Sequence, residues 1–128
     1  MDQHNRVCAQ IDLDAIAYNM EQMKDQIGKE ARLIAVIKTD GYGHGAVPIA
    51  RMFETFSYVW GYAVACIEEA VSLRKEGIKK PILVLGCVFP DQYETMIKNE
   101  IRAAVYTKEM AEGMSDEAVR QGKNAYFH

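Results

Sequence analysis

Residues 32–38 read Arg32-Leu33-Ile34-Ala35-Val36-Ile37-Lys38, an unbroken apolar run between two cations. A strand with one wet face alternates polar and apolar residues, whereas a strand covered on both faces does not. The run therefore predicts a strand buried on both sides, of the kind found in parallel sheets. Upstream, Arg6 to Ile11 reads as a short mixed strand, and Asp12 or Asp14 can cap a helix. Leu13, Ile16, Met20, Met23 and Ile27 then recur at spacings of 3, 4, 3 and 4, which is one helical face, and Gly28 is placed to stop it. Downstream, Gly41-Tyr42-Gly43-His44-Gly45 reads as a loop. Pro48 suits the first turn of a helix whose apolar side is Ile49, Met52, Phe53 and Phe56.

The alternation continues to the end of the chain. Tyr58 to Val64 reads as a strand, and Ile67 to Lys75 as a helix with Ile67, Ala70 and Val71 inward and Gly77 as its stop. Pro81 to Gly86 holds a second continuous apolar strand. Gln92 to Glu100 is expected to be a short helix presenting Tyr93, Met96 and Ile97, and Ala103 to Tyr106 a strand. Thr107 can cap a helix carrying Met110, Met114 and Ala118, ended by Gly122, and Ala125-Tyr126-Phe127 opens another strand. Strict strand–helix alternation means a parallel sheet with right-handed crossovers. Two architectures fit, a small doubly wound sheet and part of a (β/α)8 barrel. A whole barrel takes roughly 200 residues or more, and strands beginning near Arg32, Tyr58, Pro81, Ala103 and Ala125 supply only about five units. The barrel reading makes residues 1–128 the N-terminal part of a larger domain. A sequence that stops at His128, just as a strand opens, agrees with it.

Composition narrows the function classes. Of 128 residues, 49% are apolar and 26% charged, the balance of an ordinary globular domain. No apolar run approaches the roughly 20 residues of a membrane span, and Met1 to Arg6 lacks the apolar core of a secretory signal. The cytoplasm is the expected compartment. Net charge is −3, without a basic stripe, so a nucleic-acid partner is not expected. Cys8, Cys66 and Cys87 form no CxxC pair and read as buried reduced thiols, and no metal site is expected. The methionines at helical spacing, Met20, Met23, Met52, Met96, Met110 and Met114, read as core filler. Glu68-Glu69 reads as acidic residues favouring a helix N-terminus.

Chemistry is expected where strands end, because parallel β/α folds bind ligands at the carboxyl edge of the sheet. Lys38 is the residue that leaves the Leu33–Ile37 run. An amine at such an edge is partly desolvated, and a neutral amine attacks aldehydes. By position alone it reads as an ordinary strand-end lysine. The glycines that follow can bring backbone close to a ligand and can form a nest of N–H groups for an anion; a tight turn before a helix explains them equally well. Tyr42 adds a phenolic donor.

The string Ala35-Val36-Ile37-Lys38-Thr39-Asp40-Gly41-Tyr42-Gly43-His44-Gly45-Ala46 closely resembles the cofactor-lysine motif of alanine racemases. Ile11-Asp12-Leu13-Asp14-Ala15-Ile16 with Asn19, Trp60 to Ala65 with Glu68-Glu69-Ala70, and Pro81 to Gly86 resemble the same family in the same order. The resemblance extends from about Arg6 to His128. It implies an N-terminal (β/α)8 barrel followed by a C-terminal β domain, pyridoxal 5'-phosphate as cofactor, and a homodimer that interconverts L- and D-alanine and supplies D-alanine for peptidoglycan. It makes Lys38 the lysine that carries the cofactor and the acid–base group on one face of the substrate. It makes Tyr42 the donor to the cofactor phosphate, and places Val36 and Leu85 along the cofactor. His44 belongs to the motif and receives no role.

The family's opposite-face tyrosine, its pyridine-contacting arginine and most of its phosphate cradle would lie beyond His128. The resemblance therefore assigns racemisation to the full-length parent and not to these residues alone. The alternatives are another fold-type III racemase, such as a serine/alanine racemase, a noncatalytic pyridoxal phosphate-binding barrel, and a cofactor-free doubly wound domain.

Overall fold

The computed structural model describes residues 7–128. Helix α1 spans Leu13–Gln26, strand β1 Leu33–Val36, a short turn α2 Lys38–Tyr42 and helix α3 Ala46–Phe53. Strand β2 follows at Val59–Val64, α4 at Ile67–Lys75 and β3 at Ile82–Val84. A 3-10 turn at Pro90–Gln92 leads into α5, Tyr93–Lys98, then β4, Ile101–Ala103, and α6, Lys108–Gln121. The four strands are parallel and lie in the order β1-β2-β3-β4. That sequential order is the order of a barrel wall. A doubly wound sheet would reverse direction at a switch point. The strand expected at Ala125 docks on β4 through one parallel bridge, Ala103 to Phe127, with His128 N–H donating to Ala103 O at 2.8 Å.

Local chemistry explains most boundaries. Asp12 caps α1 by accepting from the Ala15 N–H at 3.0 Å, and Thr107 caps α6 by accepting from Met110 N–H at 3.2 Å. Gly122 closes α6 in the left-handed region at φ 62°. Helix α4 occupies the expected residues, with Ile67, Ala70 and Leu73 buried and Val71 half-buried. The core lies between the sheet and α3 to α6. Ala35, Tyr62, Val64, Ile82, Val84, Ile101 and Ala103 are buried there.

Several expectations fail for identifiable reasons. Within the expected strand Arg6 to Ile11, residues 7–11 form no strand, and Arg6 lies outside the described residues. Val7 and Ile11 are exposed, and residues 7–11 pair with none of the described strands, so they gain neither a ladder nor burial. Gly28 does not stop α1 by adopting a left-handed conformation. The helix ends at Gln26, and the Lys24 ammonium donates to the carbonyls of Gly28, Lys29 and Ala31. The apolar side of α1 is only partly covered, and Met23 is exposed, because an apolar cleft of about 350 Å³ separates the helix from β1. Strand β4 begins at Ile101 rather than Ala103 because Glu100, at φ 52°, turns the chain directly out of α5. The cysteines are free, but Cys8 and Cys87 are exposed rather than buried, both lying in irregular segments.

The amino ends of the strands are held by half-buried cationic side chains. Arg74 donates to the carbonyls of Asn99, Ile78, Lys80 and Glu100. Lys80 Nζ donates to Phe53 O and Val59 O at 2.8 and 2.7 Å. These contacts read as stability, since ligand chemistry gathers at the other end of such sheets. Tyr62, fully buried, has its hydroxyl 2.8 Å from Ala50 O and 3.0 Å from Glu54 Oε1, two acceptors that share its single proton. Burial, then the hydrogen bond to Glu54 and the charge of that carboxylate, push the phenol far above its ordinary value of 10.0. The unfolded chain sheds this proton above about pH 10 while the folded chain keeps it. Stability is therefore unaffected below pH 10 and falls as pH rises beyond it. Tyr62→Phe is expected to cost about 0.5–1.5 kcal/mol at pH 8 and to flatten the alkaline loss, read from thermal midpoints between pH 8 and 11.

Candidate active site

The site is built at the carboxyl end of β1. Val36 pairs with Ala63, and Ala63 with Leu83, so these three side chains share one face of the sheet. Leu85 continues the alternation of Leu83, while Lys38, following Ile37 at ψ 25°, opens the turn after β1. The opposite face carries the helices. Val36 and Leu85 are 44% and 39% exposed, so the face they line is open. Among the described residues the Lys38 ammonium has no ion-pair partner. Its Nζ lies 5.9 Å from the centroid of the Tyr42 ring, whose side chain is exposed. Lys38 and Tyr42 thus come together at the end of β1, and Val36 and Leu85 lie on the exposed face of the sheet toward its carboxyl edge.

The segment after Lys38 is not a simple loop. Thr39 (φ 54°, ψ 49°), Asp40 (φ 51°, ψ 48°) and Gly41 (φ 63°, ψ 36°) are left-handed, and Tyr42 and Gly43 follow at φ 58° and 83°. The chain makes a left-handed helical turn. Each L-residue in it costs roughly 1–2 kcal/mol, and a β-branched threonine is especially unfavourable. Gly41 has a second constraint, since a Cβ there would meet Ile49 Cδ1 at 3.1 Å and Ala46 N at 3.3 Å.

Side chains from three places hold the turn. Asp40 Oδ1 accepts from Ala46 N–H at 2.8 Å and so starts α3. His44 Nδ1 lies 3.2 Å from both Gly41 O and Tyr42 O and donates to these carbonyls. His44 is exposed, and its part is to tie the turn. The Glu69 carboxylate accepts from Thr39 N–H at 2.7 Å and from Ala65 N–H at 2.8 Å. Glu69 is therefore more than a favourable charge at a helix start. Nothing local in the sequence marks this contact, which joins residues 30 apart.

The glycines do not leave a free anion nest. The N–H groups of Gly43, His44 and Gly45 donate to carbonyls within the turn, and Gly41 N–H donates to Ile37 O. The Tyr42 side chain is exposed, and its hydroxyl has no partner among the described hydrogen bonds. Two further features near this face were not legible in the sequence. Tyr106 OH donates to Leu85 O at 2.6 Å. Arg102, paired with Leu83, stacks between Trp60 and Tyr126 at 4.8 and 4.7 Å from their ring centroids. Cys66, beside Glu69, is held above its ordinary thiol value, chiefly by burial, and is not activated as a nucleophile. Among the described residues no cluster of histidine, cysteine, aspartate or glutamate could hold a metal ion. No helix among them is long and apolar enough to cross a membrane.

Comparison with known proteins gives this face a family. Residues 11–128 match the family model "Alanine racemase, N-terminal domain". The chain is 42% identical to the alanine racemase of Symbiobacterium thermophilum over 120 residues, covering 94% of this chain and 31% of that protein. It is 43% identical to the alanine racemase of Clostridium tetani over 122 residues, covering 95% of this chain and 31% of that protein. Among solved structures, the alanine racemase of Clostridium difficile 630 superposes with a TM-score of 0.89 at 37% identity, covering 92% of this chain and 31% of that one. That protein has also been solved in complex with cycloserine. The chain spans about a third of the length of these relatives. Its parallel sheet matches the barrel wall of their N-terminal domain over nearly every described residue, and the chain belongs to the alanine racemase N-terminal domain family.

Proposed function

We propose that this chain is the first part of the barrel of a pyridoxal 5'-phosphate-dependent alanine racemase, and that the full-length protein interconverts L- and D-alanine. The observation that carries the reading is the placement of Lys38. Its amine stands at the carboxyl end of β1 without an ion-pair partner among the described residues, beside Tyr42 and directly after the strand whose open face carries Val36. These residues fit the cofactor in kind. An unengaged amine suits its aldehyde, an exposed phenol suits a phosphate oxygen, and two aliphatic side chains suit the flank of a ring.

When bound, the cofactor supplies an electron sink for the negative charge left as the alanine Cα loses its proton. Lys38 Nζ would hold the cofactor covalently at rest and, once displaced by the amine of alanine, would be free to move a proton to and from Cα on one face, handling the proton of the D-isomer. The Tyr42 hydroxyl donates to the phosphate. Val36 and Leu85 exclude water from the flank they cover. A tyrosine outside these residues, from the partner subunit of a homodimer, serves the opposite face, since inversion needs acid–base groups on both sides. The full-length protein works in the cytoplasm and supplies D-alanine for peptidoglycan. Support for alanine as substrate comes from the named activity of the relatives at about 40% identity.

The test is a chiral assay of the full-length protein with the cofactor. Starting from either pure enantiomer, alanine is expected to converge on an equal mixture. Unchanged alanine together with racemised serine or another amino acid would replace alanine as the substrate. No racemisation of any amino acid would remove the reading.

A further inference from the structure

We infer that Glu69 is a positioning residue for Lys38, its carboxylate clamping the left-handed turn to the end of β2 so that the lysine leaves the sheet in one direction. The inference rests on the reading of Lys38 as the cofactor-bearing lysine.

Three observations carry it. First, Thr39, the residue directly after Lys38, is β-branched and sits at φ 54°, ψ 49°. Left alone, that residue would relax toward the right-handed or extended regions and swing its neighbour with it. Second, the only restraint on the Thr39 N–H among the described hydrogen bonds is Glu69 Oε1 at 2.7 Å. The other oxygen, Oε2, holds Ala65 N–H at 2.8 Å, one residue past the end of β2. One carboxylate thus spans two adjacent strand ends, and both contacts have the length of charge-assisted bonds. Third, Glu69 leaves the local task its position offers. At the third position of α4 it could reach back to the N–H of the cap residue, Cys66, as in a capping box. Cys66 supplies no side-chain cap, and Glu69 reaches instead to the residue before it and across to β1. Its neighbour Glu68 is exposed, and its own N–H and the Cys66 thiol nearby hold its carboxyl below the ordinary range.

The experiment uses the full-length protein with Glu69→Gln, and Glu68→Gln as control. A glutamine offers one acceptor oxygen, so it can satisfy only one of the two N–H groups and presents an NH2 to the other. Two readouts are taken. Hydrogen exchange at the Thr39 and Ala65 amides reports the clamp without reference to any cofactor. The rate at which pyridoxal phosphate becomes fixed to Lys38 under borohydride reports the position of the amine. In Glu69→Gln at least one of the two amides, the one left facing the NH2, is expected to exchange on the order of tenfold faster or more, and capture at Lys38 to slow by about ten- to a hundredfold. Glu68→Gln is expected to change neither. Glu69→Asp, which keeps the charge but is too short for both amides, gives the same signature.

Faster amide exchange with wild-type capture at Lys38 would reduce Glu69 to a structural tie and overturn the inference. Unchanged exchange at both amides would overturn it too, and so would failure of both variants to fold. If the wild-type protein itself fixes no cofactor at Lys38, the reading of the lysine falls and this inference with it. The exchange data would then still report whether the clamp exists.

Discussion

Lys38→Ala in the full-length protein is expected to lose racemisation by at least the 10²- to 10⁴-fold that a positioned acid–base group contributes, with loss of the covalent anchor added to it. The substitution removes an amine that has no ion-pair partner among the described residues, so no buried charge is orphaned. Lys38 is half-buried and contributes stem packing only at the edge of the sheet. The thermal midpoint is therefore expected to move by no more than a few degrees while activity collapses. That separation is what distinguishes a chemical role from a structural one. A parallel loss of folding would assign Lys38 to the barrel wall instead.

Gly61→Ala is expected to have the largest effect on the fold. Gly61 lies in the middle of β2, and a Cβ built on it would fall well inside contact distance of Pro81 O. That carbonyl is not free to retreat, because it accepts the Tyr62 N–H at 2.8 Å at the start of the β2–β3 ladder. A methyl group here must push two central strands apart. Overpacking of this kind typically costs about 1–3 kcal/mol and sometimes more, or about 4–8 °C of thermal midpoint per kcal/mol for a domain near this size. Gly28→Ala is the control, since a Cβ there meets nothing within 4 Å and is expected to stay within about 0.5 kcal/mol. Calorimetry of the two variants checks the difference.

The parts of the fold legible in the sequence are those set by local chemistry. Asp12 and Thr107 cap their helices through side chains three residues from the N–H groups they accept. The run Leu33 to Ile37 announced a strand but not its cover: it reads as buried on both sides, whereas only the helix side, Ala35 and Ile37, is buried, and Ile34 and Val36 are exposed because no layer covers their face among the described residues. What could not be read depends on residues distant in sequence. The left-handed turn exists because Glu69, Asp40 and His44 hold it, and the Glu69 contact reaches across 30 positions. An acidic residue in the first turn of a helix has an ordinary local explanation, so its sequence gave no reason to look further. The stack of Arg102 between Trp60 and Tyr126 likewise joins three strands and has no local signature. For the site, Lys38 and Tyr42 were legible because they share one motif with the glycines. The means by which the turn is braced was not.

The central claim is that Lys38 carries the cofactor. The most direct measurement is to incubate the full-length protein with pyridoxal 5'-phosphate, reduce with borohydride and map the modified lysine by mass spectrometry. The account predicts a single stoichiometric pyridoxyl label on Lys38, absent from Lys38→Ala. A label on another lysine with Lys38 unmodified, or no label at all, would contradict it.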